Sequence, residues 1–242
     1  MIISHLIYDF GSLRMCCLTC YSWYIAAAPP LHRALVIDTV TTDRKLRWPT
    51  LIHRMYNLGL LPLAKDLKIF GDVGAEISPR QFSFRVLRRF RALSNVTDLR
   101  LECLDIPKFL PKTQHYFGHF LPTVRSLTLG SPKGSRRQII FFIGLFQDLE
   151  DLMLHNMELL PGEIEPVDDP TLVPNFKPPL GGQLVAWNLK RADLIQQMIN
   201  LFGEIRFTAV NLFDVNETRL LLRACKETLQ TLQLHPTDPL SE

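Results

Sequence analysis

The chain has 242 residues, 47% of them hydrophobic and 21% charged, and its formal net charge is +3. A chain of this length can bury a sizeable core in one or two domains. So small a positive charge argues against nucleic-acid binding. Since no apolar run approaches the roughly 18 residues of a membrane-spanning helix, we expect neither nucleic acid nor a membrane among the partners.

The cysteines indicate the compartment. Five is an odd number, and their spacing is not that of a disulfide framework. This usage is typical of a reducing compartment, so we expect a cytoplasmic or nuclear protein that is not secreted. The N-terminus agrees, because no Lys or Arg precedes its apolar stretch as in a signal peptide, and Asp9 and Arg14 interrupt that stretch.

Two short helices are predicted at the N-terminus. An apolar helix covers residues 2–10 and breaks at Gly11. A second, amphipathic helix follows, and its buried stripe is rich in cysteine. Two prolines, Pro29 and Pro30, are predicted to stop that helix, and a short strand follows near residues 35–37. The stripe consists of Leu13, Cys16, Cys17 and Cys20 at i, i+3, i+4 and i+7, with Trp23 continuing the face.

From about residue 60 a cadence of the form apolar-x-x-apolar-x-apolar returns seven times. Its alternating end suits a short strand with one buried face. Copies begin roughly 22 to 35 residues apart, a period typical of stacked repeats. The seven copies begin at Ala64, Val96, Val124, Leu149, Leu184, Phe207 and Leu229.

Helices are predicted between several of these copies. The apolar residues there recur at i, i+3, i+4 and i+7, which indicates one helix face turned toward a core. A helix-then-strand unit cannot bury its apolar face alone, so we expect successive units to stack. The three stripes are Thr113, Tyr116, Phe117 and Phe120; Ile139, Phe142, Ile143 and Phe146; and Ile195, Met198, Ile199 and Phe202.

The cadence and the helical stripes together resemble a divergent leucine-rich repeat. We therefore predict an α/β fold in which an irregular leucine-rich-repeat-like solenoid covers residues 41–242. The resemblance implies that the strands line one face and that the residues between the apolar positions point out of it as a binding surface. These residues are Asp66, Lys68, Asp98, Arg100, Ser126, Thr128, Asp151, Met153, Ala186, Asn188, Ala209, Asn211, Thr231 and Gln233.

Residues 1–40 resemble an F-box, in the form found ahead of irregular leucine-rich repeats in many fungal proteins. The resemblance implies a small helical module that binds a Skp-type adaptor protein, here through Leu6, Ile7, Leu13 and Trp23. The Leu-Pro opening of typical F-boxes is not present, so we expect an incomplete F-box-like segment. The resemblance rests on Ile3, His5, Leu6, Ile7, Asp9, Phe10, the run 12–23, Pro30, Leu31, His32, Arg33, Val36 and Ile37.

Several motifs with chemical potential have simpler structural interpretations. A Cys-x-x-Cys pair at 17 and 20 lacks the further spaced ligands of a zinc site, and the pair at His115 and His119 lacks the glutamate of a zinc protease. The glycine-rich turn 130–137 lacks the ending of a nucleotide-binding loop. The arginine-rich stretch 85–91 reads as an amphipathic helix with solvated charges. We therefore expect no enzyme, no cofactor and no metal.

The predicted function is that of a non-catalytic substrate-recognition adaptor in a cullin-RING ubiquitin ligase. The F-box side would bind the Skp-type adaptor and the repeat face an unknown target protein. The alternative is a stand-alone interaction scaffold whose degenerate F-box serves only as an N-terminal cap. The proline-rich break in the cadence at 161–182 is either a further partner contact or a tail without function.

Overall fold

The computed structural model describes residues 5–6, 8–38, 48–71, 88–106, 121–157, 179–189, 193–203, 205–213 and 218–235. These residues form six α-helices and eight strands. The helices are α1 (Phe10–Thr19), α2 (Tyr21–Leu31), α3 (Trp48–Asn57), α4 (Arg136–Ile143), α5 (Asp193–Phe202) and α6 (Thr218–Ala224). The strands are β1 (Ala34–Asp38), β2 (Asp66–Phe70), β3 (Asp98–Glu102), β4 (Ser126–Gly130), β5 (Asp151–Met157), β6 (Gln183–Leu189), β7 (Ala209–Phe213) and β8 (Thr231–His235).

All eight strands belong to one parallel sheet, and their order in the sheet is their order in the chain. Each strand pairs with the next in one register, so equivalent residues form rows across the sheet. Two of these rows face the core and are almost entirely aliphatic. They are Leu35, Leu67, Leu99, Leu127, Leu152, Leu184, Val210 and Leu232, and Ile37, Ile69, Leu101, Leu129, Leu154, Ala186, Leu212 and Leu234.

The strands form because apolar and polar residues alternate in them, which turns one face of the sheet toward the core. In β1 to β7 every residue of the two aliphatic rows is at most 2% exposed. Burial of one such leucine contributes roughly 1.5–3 kcal/mol. The rows continue into the connections between strands, where Phe90, Phe142, Phe146 and Phe207 are also fully buried.

The helices in these connections pack on the aliphatic rows. Helix α4 begins at a capping box, in which the Ser135 hydroxyl accepts from the Gln138 backbone and the Gln138 side chain accepts from Ser135. The predicted stripe from Ile139 to Phe146 is buried as expected, and the Phe142 and Phe146 rings meet edge to face at 5.3 Å. The stripe of α5 is confirmed as well. Its members Ile195, Met198 and Phe202 are buried, and Ile199 is partly buried against the same core.

Several backbone features recur from one strand to the next. Cys103, Ser131 and Asn156, which follow the fifth residue of β3, β4 and β5, have positive φ angles of 52°, 43° and 50°. A threonine hydroxyl also bonds back to the start of the preceding cadence, from Thr123 to the Val96 carbonyl at 2.7 Å and from Thr228 to Phe207 at 3.1 Å. The cadence is therefore a structural unit and not only a sequence pattern.

The N-terminal helices differ from the prediction in their bounds. Helix α1 begins at Phe10 and runs through Gly11, because the Asp9 carboxylate caps it by accepting from the Ser12 backbone at 3.0 Å. It ends at Thr19, and Cys20 is extended, so the predicted stripe does not continue from Leu13 to Trp23 on one helix.

The two prolines do not stop the second helix. Pro29 and Pro30 lie in the last turn of α2, which ends at Leu31, and the His32 backbone donates to the Ala28 carbonyl at 2.9 Å. Proline removes a backbone N–H donor and crowds the preceding turn, but in α2 this affects only the end of the helix.

The phase of the fifth cadence was also predicted incorrectly. Leu184 pairs with Leu152 and Ala186 with Leu154, so the inward positions lie three residues earlier than expected. Ala186, predicted to point outward, is fully buried. Val185 occupies the row position predicted for Asn188, since it pairs with Met153 and Asn211.

The sheet ends at β8, where the predicted inward leucines are not covered. Leu232 is 40% and Leu234 53% exposed. At the other end, β1 lies within residues 1–40 yet pairs with β2. The sheet therefore extends across the domain boundary predicted at residue 40.

Candidate functional site

The face of the sheet opposite the aliphatic rows carries charged residues on strands β2, β3 and β5. Along β2 to β5 the first strand position is acidic on three of the four strands, and we term it the acidic row; the third strand position is basic on β2 and β3, and we term it the basic row. Successive residues of one row lie on neighbouring strands, roughly 4.8 Å apart. The two rows are separated by roughly 6.6 Å along each strand. The acidic row is Asp66, Asp98, Ser126 and Asp151, and the basic row is Lys68, Arg100, Thr128 and Met153.

Apart from Asp151, these rows line a groove with a cavity volume of about 370 Å³. The structure thus brings together seven of the fourteen repeat-face residues predicted from the sequence, and adds Arg33 from the turn before β1. The lining consists of Arg33, Asp66, Leu67, Lys68, Asp98, Leu99, Arg100, Ser126, Thr128 and Met153.

The remaining predicted face residues lie outside the groove. The Asp151 carboxylate accepts from the Gln183 backbone at 2.6 Å, so it ties β5 to β6. Asn211 donates its side-chain amide to Gln233 at 3.0 Å, farther along the sheet. Asn188 lies on β6 three residues beyond the row predicted for it.

The charges inside the groove differ in how far they are already paired. Arg33 donates to Asp66 at 3.3 Å, with their side chains 56% and 26% exposed. Asp98 is exposed and accepts from the neighbouring Thr97 hydroxyl at 2.6 Å. Lys68 is half-buried and makes no ion pair with any described residue. Lys68 and Asp98 are therefore the charges most available to a partner.

The Arg100 side chain is held in place by a polar network whose other members, Glu102 and His155, are buried. Its Nε donates to Glu102 Oε1 at 2.6 Å, and the same oxygen lies 3.1 Å from His155 Nε2. Glu102 and His155 are only 9% and 8% exposed. Because a carboxylate only accepts, Nε2 carries the hydrogen in this contact. The His155 ring stacks on Trp187 at 4.6 Å.

Gly130 makes this network possible. In the sheet it lies between Glu102 of β3 and His155 of β5. A Cβ atom there would overlap both the Glu102 carboxylate and the His155 ring. The absent side chain lets Glu102 and His155 meet across the intervening strand, and Glu102 in turn orients the Arg100 guanidinium.

The sequence patterns did not predict that Arg33, Glu102, His155 or Trp187 would belong to the groove or to the network that supports it. The first precedes the first strand, and the other three follow the last inward residue of their strands. A polar residue directly after the cadence, as in Leu101-Glu102 and Leu154-His155, was the only available signal. That signal can be interpreted only when the register of β3, β4 and β5 is known.

Helices α1 and α2 form a second, separate surface. They enclose a small core of their own, built from Leu13, Cys16 and Ala27, against which Leu6 is partly buried. Leu13 is fully buried, so its side chain joins the two helices and cannot contact a partner as predicted. Trp23 is 41% exposed, and Ile7 lies outside the described residues.

The outer faces of the same helices are apolar and exposed. Met15 and Leu18 are three residues apart on α1, and Tyr21 and Ile25 four apart on α2, so each pair shares a helix face. Large exposed apolar patches mark interaction sites. The exposed set, which we term the head patch, is Tyr8, Phe10, Met15, Leu18, Tyr21, Trp23, Tyr24 and Ile25.

The cysteines, all within the described residues, are free thiols. Burial, with a smaller effect of neighbouring Cys16, raises the pKa of the Cys17 thiol, and burial also raises the pKa of Cys225. A raised pKa keeps a thiol protonated and unreactive. In the part of the chain that the structure describes, no cluster of three or more His, Cys, Asp or Glu side chains could hold a metal ion.

The other motifs noted in the sequence fall in two groups. The segment 130–137 comprises the end of β4, a turn at 131–135 and the start of α4, and around Phe90 the apolar side chains are buried while Arg88 and Arg91 are exposed. His115 and His119, the helical stripe at 113–120, and nearly all of the 161–182 break lie outside the described residues.

Comparison with known proteins finds no relative of this chain. The chain matches no family model, and no curated protein or solved structure resembles it at a significant level. Within the described ranges, no helix is both long and apolar enough to cross a membrane. The α/β fold with its single eight-stranded parallel sheet is therefore the class that can be assigned.

Proposed function

We propose that this chain is a non-catalytic substrate-recognition adaptor of a cullin-RING ubiquitin ligase. The head patch binds a Skp-type adaptor protein, and the groove binds the target protein. The observation that supports the proposal is the presence of two exposed surfaces of different chemistry on one chain. One is an exposed apolar patch on a helix pair, and the other is a charged groove on a sheet.

The architecture in this proposal is an irregular leucine-rich-repeat-like solenoid. Doubly wound α/β sheets reverse their strand order partway and are covered by helices on both faces. Here the order is sequential from β1 to β8, and the charged face of the sheet carries exposed residues such as Asp98 and Arg100. Stacked repeats produce that combination, because each unit contacts only its neighbours.

The head patch favours docking over capping. A cap would bury its apolar side chains against the first repeat, since its purpose is to cover an apolar edge. Instead, Leu18 is 80% and Tyr21 77% exposed, while the buried residues of α1 and α2 form a cluster separate from the main core. An exposed apolar set of this size matches the chemistry that an F-box presents to its adaptor.

The mechanism is bivalent tethering. When the head is bound to the ligase and the groove to a target, the target is held at a high effective concentration near the ubiquitin-transfer machinery. Ubiquitin chemistry belongs to other subunits. Five free thiols are compatible with the reducing compartment, cytoplasm or nucleus, in which such a ligase acts.

The test is a pull-down of the whole chain with purified Skp-type adaptor. A Leu18→Asp, Tyr21→Asp variant places charges in the head patch, at residues that are not part of the buried core. The matched control is Leu58→Asp, which adds a charge at another exposed leucine, 67% exposed, beyond α3. Binding by the wild type and the control but not by the head variant supports the proposal.

No binding by a wild-type chain that circular dichroism shows to be folded would contradict the ligase role. The stand-alone interaction scaffold would then be the better description. Equal binding by all three chains would show that the adaptor contacts some surface other than the head patch.

A further inference from the structure

The free charges of the groove have a definite arrangement. Asp98 lies in the acidic row of β3, and Lys68 in the basic row of the neighbouring strand β2. The two rows are roughly 6.6 Å apart along a strand, and because Lys68 and Asp98 also lie on neighbouring strands, these two residues are diagonal neighbours roughly 7–8 Å apart. In an extended peptide, side chains on one face also recur every second residue, at roughly 6.8 Å. The groove therefore matches the charge spacing of an extended segment.

The balance of charges selects against a highly charged ligand. The cations Arg33, Lys68 and Arg100 are matched by three carboxylates, those of Asp66, Asp98 and Glu102, of which the first two line the groove. A polyanion would meet the repulsion of Asp98, and a polycation that of Lys68. A ligand carrying one charge of each sign can satisfy both rows together.

Arg100 is prepared for such a ligand. Glu102 holds its Nε at 2.6 Å, and Glu102 is itself held by His155, which stacks on Trp187. An Arg fork with its Nε engaged still has its terminal N–H groups, which suit a carboxylate. Fixing the side chain beforehand lowers the entropy lost on binding.

From these observations we infer that the groove recognises an extended peptide segment in which an acidic and a basic residue are two positions apart. The acidic side chain lies over Lys68 and Arg100, and the basic side chain lies over Asp98. The segment runs parallel to β2 and β3, and Ser126, Thr128 and Met153 form the uncharged side of the groove beside it. This inference rests on the proposed function, because it names the chemistry of the target that the groove would hold.

The experiment is a selection from a displayed library of random linear 12-residue peptides, with the immobilised whole chain as bait. The expected result is enrichment of peptides with an Asp or Glu and a Lys or Arg at positions i and i+2. Lys68→Met should abolish the preference for the acidic position alone, and Asp98→Asn the preference for the basic position alone. One selected peptide is then synthesised for affinity measurements.

Loss of one charge-assisted contact should weaken that peptide's binding about tenfold in each groove variant. The matched control is Lys226→Met, because Lys226 lies outside the groove and its side chain is 71% exposed. The Lys226→Met chain should bind the peptide as the wild type does. Absence of enrichment, an all-acidic or apolar motif, or a motif unchanged in both groove variants would overturn the inference.

The same variants are tested for binding to the Skp-type adaptor, which separates the two proposals. Peptide selection without adaptor binding would retain the groove inference and remove the ligase role. Adaptor binding without peptide selection would do the reverse.

Discussion

Glu102 and His155 are in contact although they lie on strands that are not neighbours. Glu102 Oε1 and His155 Nε2 are 3.1 Å apart, and the strand between them contributes Gly130 at the crossing point. Both side chains are buried, and the pair supports Arg100 at the edge of the groove. The contact thus links the packing of three strands to the orientation of one surface cation.

Gly130→Ala should destabilise the protein. The added methyl group would overlap the Glu102 carboxylate and the His155 ring, and overpacking of this kind costs about 1–3 kcal/mol. Urea unfolding monitored by circular dichroism measures the change. Gly11→Ala is the control, because a methyl group there would lie at an ordinary contact distance of 3.4 Å from the Asp9 carboxylate, in helix α1, where alanine is preferred. Equal stability of the two variants would contradict the Glu102–His155 contact.

Ala186→Glu tests the register of β6. Ala186 is fully buried on the core face, so a carboxylate there would be unpaired and should cost about 3 kcal/mol or more. Ala209→Glu is the control, since Ala209 lies on β7 in the open-face row and is only half-buried. Unfolding in urea should distinguish the two, and a harmless Ala186→Glu would restore the phase predicted from the sequence.

Leu13→Ala should loosen the helix pair while leaving the main core intact. Leu13 is fully buried in the small cluster with Cys16 and Ala27, and truncation of a buried leucine costs about 2–5 kcal/mol. Amide hydrogen exchange should quicken in α1 and α2 but not in β2 to β5. Leu18→Ala, at an 80% exposed residue, should leave exchange in both regions unchanged. Faster exchange in both variants would contradict the assignment of Leu13 to the core.

His32 should make the stability of the helix pair depend on pH. Burial, and to a lesser extent the positive charge of Arg14, lowers the pKa of His32 below its usual value of 6.5. The unfolded chain then binds the proton more readily than the folded chain, so stability is full above about pH 6.5 and falls as the pH drops below it. Hydrogen exchange in α2 at matched intrinsic rates, compared at pH 7.5 and 5.5, measures the loss.

His32→Gln should reduce that loss, because glutamine does not titrate. His53→Gln, which changes an exposed histidine on α3, should retain it. An identical pH response in His32→Gln and the wild type would show that another group is responsible.

Much of the fold was predictable from the spacing of apolar residues, and the exceptions have identifiable causes. The cadences at Ala64, Val96, Val124, Leu149 and Phe207 give the correct inward residues, because their apolar positions coincide with the buried strand positions. At Leu184 the observed inward residues, Leu184 and Ala186, place Gly181 at the first cadence position, so the apolar pattern favours the wrong phase and the correct one appears only from pairing with Leu152 across the sheet. The bounds of α1 depend on the cap at Asp9, which a search for apolar stripes does not detect.

Some residues of the candidate site could likewise be predicted from the sequence, and others could not. Asp66, Lys68, Asp98 and Arg100 follow directly from the alternation within a strand, since outward residues are fixed once the inward ones are known. Arg33 does not, because it reaches the groove from a turn and is held there by Asp66. The Glu102–His155 contact depends on the register of β3, β4 and β5 together, which the sequence of any one strand does not specify.

The proposal that one chain joins a ligase to its target is tested most directly by a ternary-complex measurement. Skp-type adaptor is immobilised for biolayer interferometry, the whole chain is loaded, and the selected groove peptide, fused to a carrier protein for signal, is added. Two independent surfaces predict a second, stoichiometric rise without loss of the first. A chain that does not load, or that dissociates when the peptide binds, would contradict the proposal.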